Sequence, residues 1–271
     1  MFRYRLIHRF CILIFFLIAY SLITACGTTT SKTIADIKPD KNILRVGVST
    51  DAPPLIYKQG DQIVGLEAEL AQEFARYLGK SVRFVEVEWE DQIPALLNNQ
   101  TDIIMSGMTI TKMRLIRISY SEPYYTTGQM VLLHKRDQGR IPLTYFGIKG
   151  MSIVLRIGVV KGTTGETYVL DNFGTAKKIS AFDTSKQAVD ALLDNNIDIL
   201  IDDGPIILML ASEYDTRGLT TSTSHLTEEH LAWGIRKNDI ELLDSANRFI
   251  DEYKREGKLN SIISRWIPFK K

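Results

Sequence analysis

The chain has 271 residues, with 33 lysines and arginines against 32 acids and a formal net charge of +1. So even a charge excludes the basic surface that a nucleic-acid partner needs, and two cysteines in this length exclude a disulfide framework.

The first ten residues, MFRYRLIHRF, carry Arg3, Arg5 and Arg9 and no acid. An apolar run follows from Cys11 to Ala25. It is shorter than the roughly 20 residues of a membrane span. A basic start, a short apolar run and small residues at its end describe a secretory signal. Cys26 follows Ile23, Thr24 and Ala25, which reads as a lipobox cut before a lipidated cysteine. The alternative is an ordinary signal whose cut falls near a cysteine. Residues 1–25 are therefore expected to be a lipoprotein signal peptide, and 26–42 the lipidated Cys26 with a flexible polar tether. Cleavage removes three arginines, leaving 30 basic residues against 32 acids and a mature charge of about −2.

After the tether, Leu44, Val46 and Val48 alternate as a strand does. In LEAELAQEFARYLG, Leu66, Leu70, Phe74, Tyr77 and Leu78 share one helical face, and Gly79 is the stop. Val85, Val87 and Trp89 alternate in a further strand. The chain then repeats itself. IPALLNNQTDIIM (93–105) matches VDALLDNNIDILI (189–201) at six of thirteen positions, and LRVGV (44–48) matches LRIGV (155–159). Two matched pairs in one order argue for two halves of similar topology. Strands alternating with helices predict an α/β fold with largely parallel sheets. Ligands of such sheets bind beyond the carboxyl ends of the strands. Those ends are STD (49–51), SGMT (106–109), KGTT (161–164) and DDG (202–204).

Each of these ends carries usable chemistry. Gly107 lets backbone approach a ligand closely, and Thr109 offers a hydroxyl. Thr111 suits the N-cap of a short helix from Lys112. On that helix Arg114 and Arg117 are three apart and lie on one side. By themselves both read equally well as surface charges. A guanidinium on the cleft side would bind a carboxylate through two parallel bonds. KGTTGE ends a strand and opens a helix, so Thr163, Thr164 and the free N–H groups form an anion site, or a plain Gly/Thr turn. IDILIDDGP ends on Asp202 and Asp203, either of which can hold a cation; the bland reading is a solvated turn. Together these groups match a zwitterion, the pattern of a free α-amino acid.

Here the chain resembles the periplasmic solute-binding proteins of family 3, which serve amino-acid ABC transporters. GMTITKMRLIRISYSEPYY is similar to the family's GxTITxxRxxxxxFSxPYY, with Tyr120 in place of Phe. GLEAELAQEFARYLG resembles its GFDVDLAxxIAxxLG, with Glu67 in place of Asp. KGTTGE, DILIDDGP and the closing helices up to Trp266 resemble further family segments. The likeness covers residues 43 to about 268.

The resemblance implies a two-lobe clamp with two hinge strands. It places lobe 1 at 43–131 plus 232–271 and lobe 2 at 132–231, with crossings near 128–134 and 228–235. It gives Arg114 the α-carboxylate, with Thr109 and Thr164 adding hydroxyl or N–H bonds to the same group and Gly107 contributing backbone polar groups, and gives Asp203 the ammonium. Trp89 becomes a pocket wall, and Asp51 faces the ligand side chain. The family's stacking aromatic is missing, since STDAPPLIY has Ala52 and Leu55 in its place, and Tyr57 is the candidate to compensate. Trp266 reads as a packing residue, and His134, His225 and His230 lack ligand-type spacing for a metal. The implied protein is an exported, lipid-anchored monomer that delivers a polar amino acid to a membrane permease, without a cofactor or catalytic residue. The alternatives are a cyclohexadienyl dehydratase-like enzyme on the same fold and a ligand-sensing module.

Overall fold

The computed structural model describes residues 41–222 and 224–267. The expected signal peptide, Cys26 and all but the end of the tether lie outside the described residues.

The strands are β1 (Ile43–Val48), β2 (Asp51–Ala52), β3 (Ile56–Gln59), β4 (Gln62–Val64), β5 (Ser81–Glu86), β6 (Ile103–Ile104), β7 (Ser119–Tyr120), β8 (Tyr125–Thr127), β9 (Gln129–His134), β10 (Arg156–Val160), β11 (Lys178–Phe182), β12 (Ile199–Asp203), β13 (Leu219–Thr221), β14 (Glu229–Leu231) and β15 (Gly234–Ile235). They form two five-stranded sheets, ordered β5-β1-β6-β15-β7 and β11-β10-β12-β9-β13. The two orders correspond strand for strand, as the internal repeat requires. Each sheet is mixed. β1 runs parallel to β5 and β6, as β10 does to β11 and β12. β15 and β9 run antiparallel to both of their neighbours. These are the strands that the chain enters after crossing from the other half. It arrives at the carboxyl ends of the parallel strands, where Gln129 pairs with Asp203 and Gly234 with Ile104, and must run the opposite way. The second sheet thus begins at Gln129, ahead of the lobe boundary expected at 132. The crossings themselves, β8 and β14, pair antiparallel with each other.

Both faces of each sheet are covered. The helices Leu66–Tyr77, Ile240–Arg255 and Lys258–Trp266 pack one face of the first sheet, with Phe74, Trp233 and Phe249 fully buried among them. Ile93, Leu96 and Ile118 cover its other face. The second sheet is clasped by Ser185–Leu193 and Gly204–Glu213 on one side, and by Tyr145–Met151 and Thr164–Phe173 on the other. Leu66–Tyr77 stops where the sequence says. Gly79 is left-handed at φ 66°, and Lys80 N–H closes back on the Ala75 carbonyl at 2.8 Å.

The repeat is built from the same contacts twice. Arg45 donates to Asp102 through its backbone N–H at 2.9 Å and its side chain at 2.6 Å, and to the Asn99 carbonyl at 2.5 Å. Arg156 does the same with Asp198 at 2.7 and 2.5 Å, and with the Asn195 carbonyl at 2.6 Å. Asn99 and Asn195 both take φ 57°, the left-handed turn that asparagine tolerates.

Candidate functional site

The carboxyl ends of β1, β6, β10 and β12 converge on one cavity of about 70 Å³, several times what a single water needs. Asp51, Trp89, Gly107, Thr109, Arg114, Thr163, Thr164 and Asp203 all line it. So the structure brings together every ligand-binding residue expected from the sequence. Ala52 and Leu55, which stand where the family has its aromatic, line it too. Tyr57 does not take the missing ring's place. It packs edge-on against Trp266, with centroids 6.4 Å apart.

Arg114 sits on the short helix Lys112–Arg117, whose N-cap Thr111 accepts from the Arg114 N–H at 3.2 Å. The guanidinium turns back into the cavity. It donates to the Thr109 carbonyl at 3.0 Å and to the Gly162 carbonyl at 3.2 Å, and lies 5.3 Å from the Trp89 ring centroid. The Trp89 indole N–H also donates to Gly162, at 2.9 Å. The first-half loop and the second-half loop therefore meet on one carbonyl. Arg117 is exposed.

Thr163 caps the helix Thr164–Phe173, accepting from Glu166 N–H at 3.2 Å and donating to the Val160 carbonyl at 2.7 Å. The carboxylate of Glu166 accepts from Gly162 N–H at 2.8 Å, one residue ahead of the cap, and so fixes the turn that leads into the helix. The first-turn N–H groups of this helix have no intrahelical partner and end beside the cavity.

At β12 the two acids separate. Asp202 is buried and accepts from the Ser185 hydroxyl at 2.7 Å and from Asp203 N–H at 2.9 Å. Asp203 accepts from Gln129 Nε2 at 2.6 Å and borders the cavity. Burial first, then the charges of Asp202 and Glu229, push the Asp203 carboxyl well above the usual range.

Gly107 is left-handed at φ 70°, and a Cβ there would lie 2.7 Å from Leu55 Cδ1. Its N–H donates at 2.7 Å to Glu67, so only its carbonyl is free to serve a ligand. Glu67 is fully buried and also accepts from Tyr124 at 2.6 Å and Trp233 at 3.1 Å. Burial raises its pKa from 4.5 to about 7 against the pull of these three donors.

The sequence reading missed Glu67, Gln129 and Glu229 as residues behind the cavity, and Glu88 and Ser106 at its wall. A signal existed for Glu67 alone, an acid on the apolar face of a helix. Gln129 opens a strand that is buried on both faces and so does not alternate, and the others sit in short strands and loops where periodicity carries no information.

The chain matches the family model of bacterial extracellular solute-binding proteins, family 3, over residues 44–269. It belongs to that family. The arginine-binding extracellular protein ArtP of Bacillus subtilis (strain 168) is 28% identical over 250 residues, covering 92% of this chain and 94% of ArtP. Among solved structures, a binding component of an ABC transporter from Wolinella succinogenes DSM 1740, complexed with lysine, is similar with a TM-score of 0.79 and 29% identity, over 84% of this chain and 97% of the other. An ancestral amino-acid-binding protein described as a precursor of cyclohexadienyl dehydratase is similar with a TM-score of 0.75 and 30% identity, over 83% and 95%.

Proposed function

We propose that this chain is the amino-acid-binding component of an ABC importer and that its cavity takes a cationic amino acid. The observation that carries the reading is the sign of the charges on the cavity wall. Arg114 matches an α-carboxylate and Asp203 an α-ammonium. The acids then left without a structural partner on the wall are Asp51 and Glu88, so a positive side chain completes the pairing. That ArtP binds arginine and the Wolinella protein holds lysine supports the same reading. A thermal-shift panel tests it. Arginine or lysine at 100 times its Kd raises stability by about 2.7 kcal/mol, while glutamate gives no shift. A panel led by glutamate overturns it. The reading is of a binder rather than a catalyst, and incubation with prephenate or arogenate should leave both unchanged; aromatic product would overturn that.

The chain folds as two lobes on the two sheets, joined by β8 and β14, with the ligand between them and the closed form presented to the permease. It acts as a monomer held to a membrane through lipid on Cys26. Two acyl chains hold stably where one does not. Metabolic palmitate labelling should be lost in Cys26→Ser, and labelling that persists in that variant sinks the anchor.

A further inference from the structure

Glu229 stands on β14, the returning crossing strand, and is 8% exposed. Four donors converge on it. Its Oε2 accepts from the Thr109 and Thr164 hydroxyls, each at 2.8 Å. Its Oε1 accepts from the Thr227 hydroxyl at 2.9 Å and from Gln129 Nε2 at 3.0 Å. A carboxylate offers about four acceptor positions, so these fill it. A ligand has nothing to gain from Glu229 directly, and whatever it does passes through the threonines. Each hydroxyl carries one proton, and here both protons point at Glu229. The oxygen surface that Thr109 turns to the cavity is therefore acceptor only, and so is that of Thr164, which already accepts from Gln129 Nε2 at 3.2 Å.

We propose that Glu229 is a positioning residue that sets the polarity of the cavity floor. It holds one threonine from each half of the molecule on a single carboxylate oxygen, with both hydroxyls locked as acceptors. The ligand must then bring N–H donors to that floor, as an α-ammonium does, and its carboxylate must be held by Arg114 and backbone N–H groups. Gln129 ties this device to the ammonium-side acid, since the same Nε2 that reaches Glu229 lies 2.6 Å from Asp203. The inference rests on the reading of the cavity as an amino-acid site.

The test compares L-arginine with 5-guanidinopentanoate, the same molecule without its α-amine, by calorimetry or competition. In Glu229→Met, which keeps the length and removes the acceptors, the hydroxyl protons are released into the cavity. The preference for arginine over the amine-free analogue should fall at least tenfold from wild type. Equal weakening of both ligands in a folded variant assigns Glu229 a purely structural role and overturns the proposal. If Glu229→Met fails to fold, Thr109→Val removes one acceptor instead. Arginine should then weaken at least tenfold more than the analogue, and equal losses again overturn the idea. If glutamine binds and arginine does not, the cationic reading falls while the Glu229 test proceeds with glutamine and 5-amino-5-oxopentanoate. Binding of none of these amino acids overturns both.

Discussion

Two arginines one turn apart have opposite fates. Arg114 faces inward because Thr111 starts the helix and the Thr109 and Gly162 carbonyls await its guanidinium. Arg117 is left in solvent. Removing one partner of a desolvated charge pair costs several kcal/mol, and the partial exposure of Arg114 reduces that. Arg114→Ala should weaken amino-acid binding by about 100-fold, and Arg117→Ala by less than about twofold; titration calorimetry checks both. Glu67 makes a second residue-level prediction. Its folded pKa of about 7 lies above its ordinary 4.5. The folded state then binds the proton more tightly, so the contribution to stability is full below pH 4.5 and lost as pH rises through 7. A shift of that size corresponds to about 3 kcal/mol. The stability of wild type relative to Glu67→Gln should fall between pH 4.5 and 7.5 in denaturant titrations. A difference independent of pH would remove the assignment.

At the scale of elements, the neighbouring interior strands β1 and β6 are stapled by Arg45 to Asp102, and β10 and β12 by Arg156 to Asp198. Burial opposes the charge on each acid, yet the arginine hydrogen bonds outweigh it and hold both carboxyls below their usual range. Each acid also receives a backbone N–H, so truncation leaves more than a surface ion pair unmade. Asp102→Ala and Asp198→Ala should each lower stability by about 1–3 kcal/mol in urea titrations, with ligand affinity unchanged for Asp198→Ala. The repeat was legible because both halves need the same left-handed asparagine and the same aspartate at the same point. The antiparallel strands β9 and β15 were not, because strand direction follows from where the chain crosses and local pattern is blind to that.

For the molecule as a whole, the cavity exists because the two sheets turn their carboxyl ends toward each other. Trp89 spans that gap through its bond to Gly162. Of the chain's three tryptophans, Trp233 is fully buried in the first-sheet core and Trp266 packs against that core. Trp89 should therefore report closure alone. The fluorescence change on adding ligand should vanish in Trp89→Phe, and a change of wild-type size in that variant would place the signal elsewhere.

By itself the sequence determined the α/β class, the duplicated topology and the eight residues now found on one cavity. The class and the duplication depend on local periodicity and strand-end position, which short segments carry, whereas Trp89 and the choice of Arg114 over Arg117 came from the likeness to the family's motifs. Only the tertiary structure decided what stands behind the cavity. Glu67 and Glu229 are acids on elements remote in sequence from Gly107, Thr109 and Thr164. A buried carboxylate is tolerated only when donors converge on it, and those donors are assembled by the fold.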